Sequence, residues 1–249
     1  HMAGHSKWAN IKFRKAAQDA KKGKLFTRLI REITVAAREG GDDPDANPRL
    51  RAAMDKAYGS NMHKDAVERA IKRGAGGGEG SSYEEIRYEG YAPGGVAILV
   101  ECQTDNRNRT VGEVRHAFSK YGGNLGTDGS VSYLFEAMGV ITYPPGSDEM
   151  AIMEAAAEAG ARDVATDADG YVEVTTAPAD FHAVKKALVD AGLAPERADI
   201  VERAMSEVTV DAEEGERVVK LLDALEDLDD VKDVYSNANF PDALFAEAS

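Results

Sequence analysis

Along the first third of the chain, apolar residues recur with the period of an α-helix. In KLFTRLIREITVAARE, residues 24–39, Phe26, Leu29, Ile30, Ile33, Ala36 and Ala37 share one face, and Gly40 with Gly41 marks its end. Asn47 suits an N-cap and Pro48 a first helical position, so NPRLRAAMDKAYGSN predicts a second helix with Leu50, Ala53, Met54 and Ala57 inward. KDAVERAIKRG predicts a third, with Val67, Ala70 and Ile71 inward and a stop at Gly74. Residues 10–22 offer only Phe13, Ala16, Ala17 and Ala20 on a common face, too little apolar area to grip a core, and are expected to order on a partner.

The stretch GAGGGEGSS, residues 74–82, has the composition of a flexible linker, and beyond it the apolar period falls from helical to the alternation of strands. YEEIRYEGY and GVAILVEC predict two strands around APGG, followed by a helix with Val111, Val114, Phe118 and Tyr121 inward and a strand SVSYLFE. GVITY, the helix DEMAIMEAAAEAG, a strand pair around DADG, the helix ADFHAVKKALVDAG and the strand ADIVERA then spell βαββαβ, the order of a ferredoxin-like split βαβ unit. EVTVD, a helix carrying Val218, Leu221, Leu222, Leu225 and Leu228, and the strand VKDVYSN remain. The expected fold is therefore α+β and multidomain: a three-helix domain over 1–79, an α/β domain over 80–136 plus 206–249, and a ferredoxin-like α/β domain over 137–205 inserted in it. Simple succession along the chain is the alternative.

Charge changes this picture from architecture to partner. The formal net charge is −14, yet residues 1–73 hold 17 Lys and Arg against 9 Asp and Glu. Nine of those cations fall in GHSKWANIKFRKAAQDAKKGKLFTRLIR, residues 4–31, against the single acid Asp19. A sign reversal between one end and the rest points to a polyanion surface on the basic block. Lys7, Lys12, Arg14, Lys15, Lys21, Lys22, Lys24, Arg28 and Arg31 are the candidate phosphate contacts, with Trp8 available either to stack on a base or to anchor the N-terminal segment. Arg107 and Arg109 stand before a helix whose start is marked by Thr110 and Glu113 at capping-box spacing. There they would oppose the helix dipole, so they either share an anion or pair with carboxylates of the acidic body.

Catalytic chemistry finds little support. HExxH, GxSxG, GxxxxGK[ST] and GxGxxG are all absent, and GAGGG neither follows a strand nor opens a helix. His5 beside Ser6 lacks a third, orienting group, and His63, His116 and His182 share no metal-ligand spacing. An acidic loop with Asp42, Asp43 and Asp45 around Pro44 leaves a magnesium-dependent nuclease as a distant third reading. Cys102 lies in an apolar run and is expected to be a buried, inert thiol. No catalytic residue, cofactor or metal is therefore expected. No apolar run approaches the length of a membrane span, which places the expected site of action in the cytoplasm, and His1 ahead of Met2 reads as a tag remnant.

Taken in order, AGHSKWANIKFRKAAQDAKKGKLFTRLIREI, NPRLRAAMDKA, ERAIKRG, YEGYAPGGVAILVECQTDNRNRTVGEVRHAFSKYGGNLGTDGSVSYLF and LEDLDDVKDVYSN resemble the YebC family, which includes the mitochondrial translational activator of cytochrome c oxidase. The resemblance spans nearly the whole chain. It implies three domains with the third inserted in the second, no enzymatic activity, and a DNA-binding transcriptional regulator. The alternative it carries is a translation factor that binds RNA and associates with ribosomes stalled on proline-rich stretches. Phe13 and His63 depart from the family's NIKHRK and NMPKD patterns. Base reading calls for a helix bearing Arg, Asn or Gln, and residues 24–39 offer only Arg28, Arg31 and Arg38 among those types.

Overall fold

A computed structural model describes residues 7–12, 22–77 and 82–245. The predicted ordering of residues 10–22 on a partner falls mostly outside these. Residues 7–12 are helical (α1), and Lys22–Gly40 (α2), Pro48–Gly59 (α3) and Lys64–Ala75 (α4) follow. The inward stripes of α2, α3 and α4 meet in one cluster around Ile33, Leu50, Ala57, Val67 and Ala70. Asn47 caps α3 as its sequence suggests: its side chain accepts from the Leu50 N–H at 3.1 Å, and its amide donates to the carbonyls of Ala36 and Gly41, tying the cap to the end of α2. Helix α4 runs one residue past the expected stop, because Gly74 serves close approach. A Cβ there would lie 2.1 Å from the Thr34 carbonyl oxygen of α2.

Two four-stranded antiparallel sheets form the remainder, with a two-stranded parallel pair beside them. The first sheet has the order β3-β1-β2-β9, with β1 Glu84–Ala92, β2 Val96–Thr104, β3 Asn124–Leu125 and β9 Val231–Ser236, so a late strand lies against an early one. Strand β2 is buried on both faces. Ile98, Val100 and Cys102 face helices α5 (Arg107–Lys120) and α8 (Ala212–Glu226), while Ala97 and Leu99 pack with Val131, Phe135 and Tyr235 on the opposite side. The second sheet has the order β5-β6-β4-β7, with β4 Phe135–Tyr143, β5 Asp163–Thr166, β6 Val172–Thr176 and β7 Arg197–Ala204. Helices α6 (Glu149–Ala159) and α7 (Phe181–Asp190) cover one face through Ile152, Ala156, Phe181, Val184 and Leu188. Strands β8 (Val208–Thr209) and β10 (Ala238–Asn239) make the small parallel pair.

Two local expectations are corrected. SVSYLFE is not a strand of the first sheet: residues 132–134 make a 3₁₀ turn, and β4 begins at Phe135 and runs through GVITY into the second sheet. The cause is the buried Glu89 carboxylate on β1, which accepts from the N–H groups of Gly129, Val131 and Ser132 and pulls that stretch out of extended pairing. The start of α5 is also misplaced in the sequence reading. Asn106 is its cap, accepting from the Arg109 N–H at 3.1 Å, so Arg107 and Arg109 lie within the first turn.

Candidate nucleic-acid interface

The N-terminal turn positions its cations through one aromatic anchor. Trp8 is 3% exposed and belongs to the apolar cluster that joins the first sheet to α5 and α8. Its neighbours are held from the second sheet, where Arg197 donates to the Ala9 carbonyl at 2.9 Å and to Asn10 Oδ1 at 2.7 Å. So fixed, Lys7 pairs with Asp242, and Lys12 reaches Glu226 Oε1 at 2.7 Å while standing 4.8 Å above the Trp8 ring centre. Arg14, Lys15 and Lys21 lie outside the described residues, as does the side chain of Lys22.

Helix α2 presents Lys24, Arg28 and Arg31 to a single acidic turn. The turn, residues 226–230, starts where α8 ends, and the free carbonyls of a helix C-terminus carry the negative end of its dipole. Lys24 donates to the Asp227 carbonyl at 2.7 Å. Arg28 donates to Glu226 Oε2 at 3.3 Å, to the Leu228 carbonyl at 3.2 Å and to the Glu226 carbonyl. Arg31 donates at 3.1 Å to each of three oxygens, the Gln103 and Asp229 carbonyls and Asp230 Oδ1, and its guanidinium lies 5.0 Å from the Tyr83 ring centre.

Asp230 is the hub of this contact. Its side chain is 2% exposed, and besides Arg31 it accepts from Arg109 at 3.0 and 2.8 Å and from the Thr110 hydroxyl at 2.8 Å. Burial alone would raise its carboxyl, but the hydrogen bonds from Arg109, Thr110 and Arg31 outweigh burial and hold it below the ordinary carboxylate range. Arg109 also bonds Asp105 at 2.9 Å, and Arg107 bonds Glu84 at 2.9 Å. Of the two readings open for this pair, partnership with carboxylates is the arrangement observed.

Two more polar links fasten the helices to the sheets. Glu32 on α2 accepts from Arg49 at 2.7 Å, from Gln103 at 2.6 Å and from Lys232 at 3.0 Å, and Arg49 also reaches Glu85. Burial would raise the Glu32 carboxyl, yet the Arg49 hydrogen bond and the Lys232 charge lower it to about 2. On the far side Lys56 pairs with Asp199 of β7, and the Pro48 carbonyl lies 3.0 Å from His182 Nε2. Close by, Asp233 on β9 is pushed up to about 6 by burial, against the pull of Lys232 and Lys56.

One set of cations stands apart from these networks. Arg69, Lys72 and Arg73 on α4 are exposed, and among the described residues they have no hydrogen-bond or ion-pair partner. Their i, i+3, i+4 spacing gathers them on one face, opposite Val67 and Ala70. Sequence reasoning used ERAIKRG only for its inward stripe, although that spacing was visible. Among the described residues, no three His, Cys, Asp or Glu group so as to hold a metal ion, and no helix is long and apolar enough to cross a membrane.

Comparison with known proteins supplies the remaining finding. Residues 6–77 match the family model described as TACO1/YebC protein N-terminal domain, and residues 83–238 that described as TACO1/YebC second and third domain. A probable transcriptional regulatory protein of Hahella chejuensis is 64% identical over 243 residues, which are 98% of each chain. One of Nitrosococcus oceani is 61% identical over 246 residues, 99% of each. Among solved structures, a conserved hypothetical protein of Aquifex aeolicus is 49% identical, with a TM-score of 0.83 covering 90% of this chain and 93% of the other.

Proposed function

Because the chain belongs to the TACO1/YebC family, and the relatives from Hahella chejuensis and Nitrosococcus oceani are named probable transcriptional regulatory proteins, we propose that it is a non-enzymatic, cytoplasmic regulator of gene expression that binds DNA through the phosphate backbone. The observation that carries the reading is the exposed Arg69, Lys72 and Arg73 face, without a partner among the described residues, on the part of the chain with excess positive charge. Exposed guanidinium and ammonium groups on a rigid helix suit phosphates, and Gly74 locks that helix against α2. The acidic remainder repels a polyanion and confines contact to this block. Backbone contact positions a protein on a duplex without reading its sequence, so modest sequence discrimination is expected.

The same reading treats the chain as three units: the helices, the first sheet with α5 and α8, and a ferredoxin-like second sheet interposed between early and late strands of the first. The test is fluorescence anisotropy with a 20-base-pair DNA duplex at several salt concentrations. The three α4 contacts alone give a slope of log affinity against log salt of about −3. Changing Arg69, Lys72 and Arg73 together to Glu should remove most of the binding. Unchanged affinity in that variant would contradict the reading.

A further inference from the structure

Sequence reading assigns Lys12, Lys24 and Arg28 to a polyanion, and the folded chain already gives them one. The Glu226 carboxylate and the carbonyls of residues 226–228 place oxygen acceptors around these three cations, as a run of phosphates would. We infer that the C-terminal end of α8 is a built-in competitor for the nucleic-acid site: bound backbone displaces it and recruits Lys12, Lys24 and Arg28 alongside Arg69, Lys72 and Arg73. This inference rests on the nucleic-acid reading above and adds its regulation.

The contact divides into a permanent half and a releasable half. Asp230 is 2% exposed and has four hydrogen bonds from Arg31, Arg109 and Thr110, so breaking it would strand buried charge. The Glu226 half is more open. The Glu226 side chain is 9% exposed against 2% for Asp230, Lys12 is 41% exposed and Arg28 21%, and Lys24 meets only a carbonyl on an exposed surface. Phosphate oxygens can replace a carboxylate and carbonyls one for one as acceptors for these donors, with no cation left unpaired. Asp230 would act as the hinge pin, keeping α2 joined to the first sheet while the Glu226 end lets go.

Glu226→Gln tests this by removing the competing charge while keeping the shape. With 20-base-pair DNA and RNA duplexes as probes, the variant should bind about tenfold more tightly, as expected when a charge-assisted competitor is lost. In the wild type, six rather than three phosphate contacts make the salt slope on DNA near about −5. An independent readout needs no change at Glu226: spin labels at Leu25→Cys on α2 and Lys220→Cys on α8, with Cys102 left unlabelled in the core, should move apart when duplex saturates the protein. A duplex that binds with a slope near −3, an unchanged label distance and no gain in Glu226→Gln would overturn the competitor and leave the α4 contact standing. If neither wild type nor variant binds either duplex at low salt, the proposed function fails and this inference with it. Should Glu226→Gln not fold, the label distance in the otherwise wild-type chain decides.

Discussion

Replacing Asp230 by Ala removes the joint between α2 and the first sheet. Four hydrogen bonds end on this carboxylate, one from Arg31, two from Arg109 and one from the Thr110 hydroxyl. Breaking a buried charged pair from one side costs about 3–5 kcal/mol. The lower end applies here, because each donor keeps another acceptor: Arg31 the Gln103 and Asp229 carbonyls, Arg109 Asp105, and Thr110 the Asn106 carbonyl. A loss of about 3 kcal/mol should lower the melting temperature by about 6–12 °C for a chain of this size. Trp8, the chain's one tryptophan, is buried beside the same contact and should report it through a red shift of emission during urea unfolding. Adding Arg109→Ala should cost less than the sum of the two changes, since one stranded charge is then removed. The sign with pH follows from the lowered carboxyl. Asp230's contribution is present above its unfolded value and is lost as pH falls through its lower folded one, so wild type and variant should converge in acid. A melting shift below about 2 °C at pH 7, or a gap that persists in acid, would refute the reasoning.

Other outcomes follow from single positions. Gly74→Ala should push α4 off α2, because the new methyl meets the Thr34 carbonyl oxygen; a loss of about 2 kcal/mol or more, read by thermal unfolding, is expected, and no loss would deny the close approach. Asp233→Asn should stabilise the protein at pH 8 and do little at pH 4. The carboxyl is raised to about 6 from 3.8, so its burial costs stability as pH climbs through that window, and the gain should be about 1–3 kcal/mol by urea titration at the two pH values. Cys102, 2% exposed and pushed up to about 12 chiefly by burial, should resist a thiol reagent at pH 8 until the chain unfolds; prompt reaction in the folded protein would contradict that.

What the sequence disclosed and what it hid differ by the range of the interaction. The stripes of α2, α3 and α4 are set by residues three and four apart, as is the Asn47 cap followed by Pro48, and all of these were legible. So was the order of elements from GVITY to ADIVERA. The 3₁₀ turn before β4 was not, because Glu89 imposes it from a strand some forty residues earlier. Counting charge located the basic block but could not show that Lys12, Lys24, Arg28 and Arg31 meet residues 226–230, about two hundred positions away. Trp8 admitted two roles, and its burial in the core shared by α5 and α8 is the anchoring one. Arg69, Lys72 and Arg73 gained interest only once Lys7, Lys12, Lys24, Arg28 and Arg31 were seen to be engaged.

The central claim is that the basic block carries regulation of gene expression by holding DNA. Crosslinking in living cells, with bound DNA and bound RNA both sequenced, addresses it most directly when the wild-type chain is compared with one in which Arg69, Lys72 and Arg73 are changed to Glu. DNA crosslinks, with at most modest enrichment at promoters, are expected in the wild type and should be lost in the variant. Crosslinks confined to ribosomal RNA, or a DNA pattern that the variant leaves intact, would contradict it.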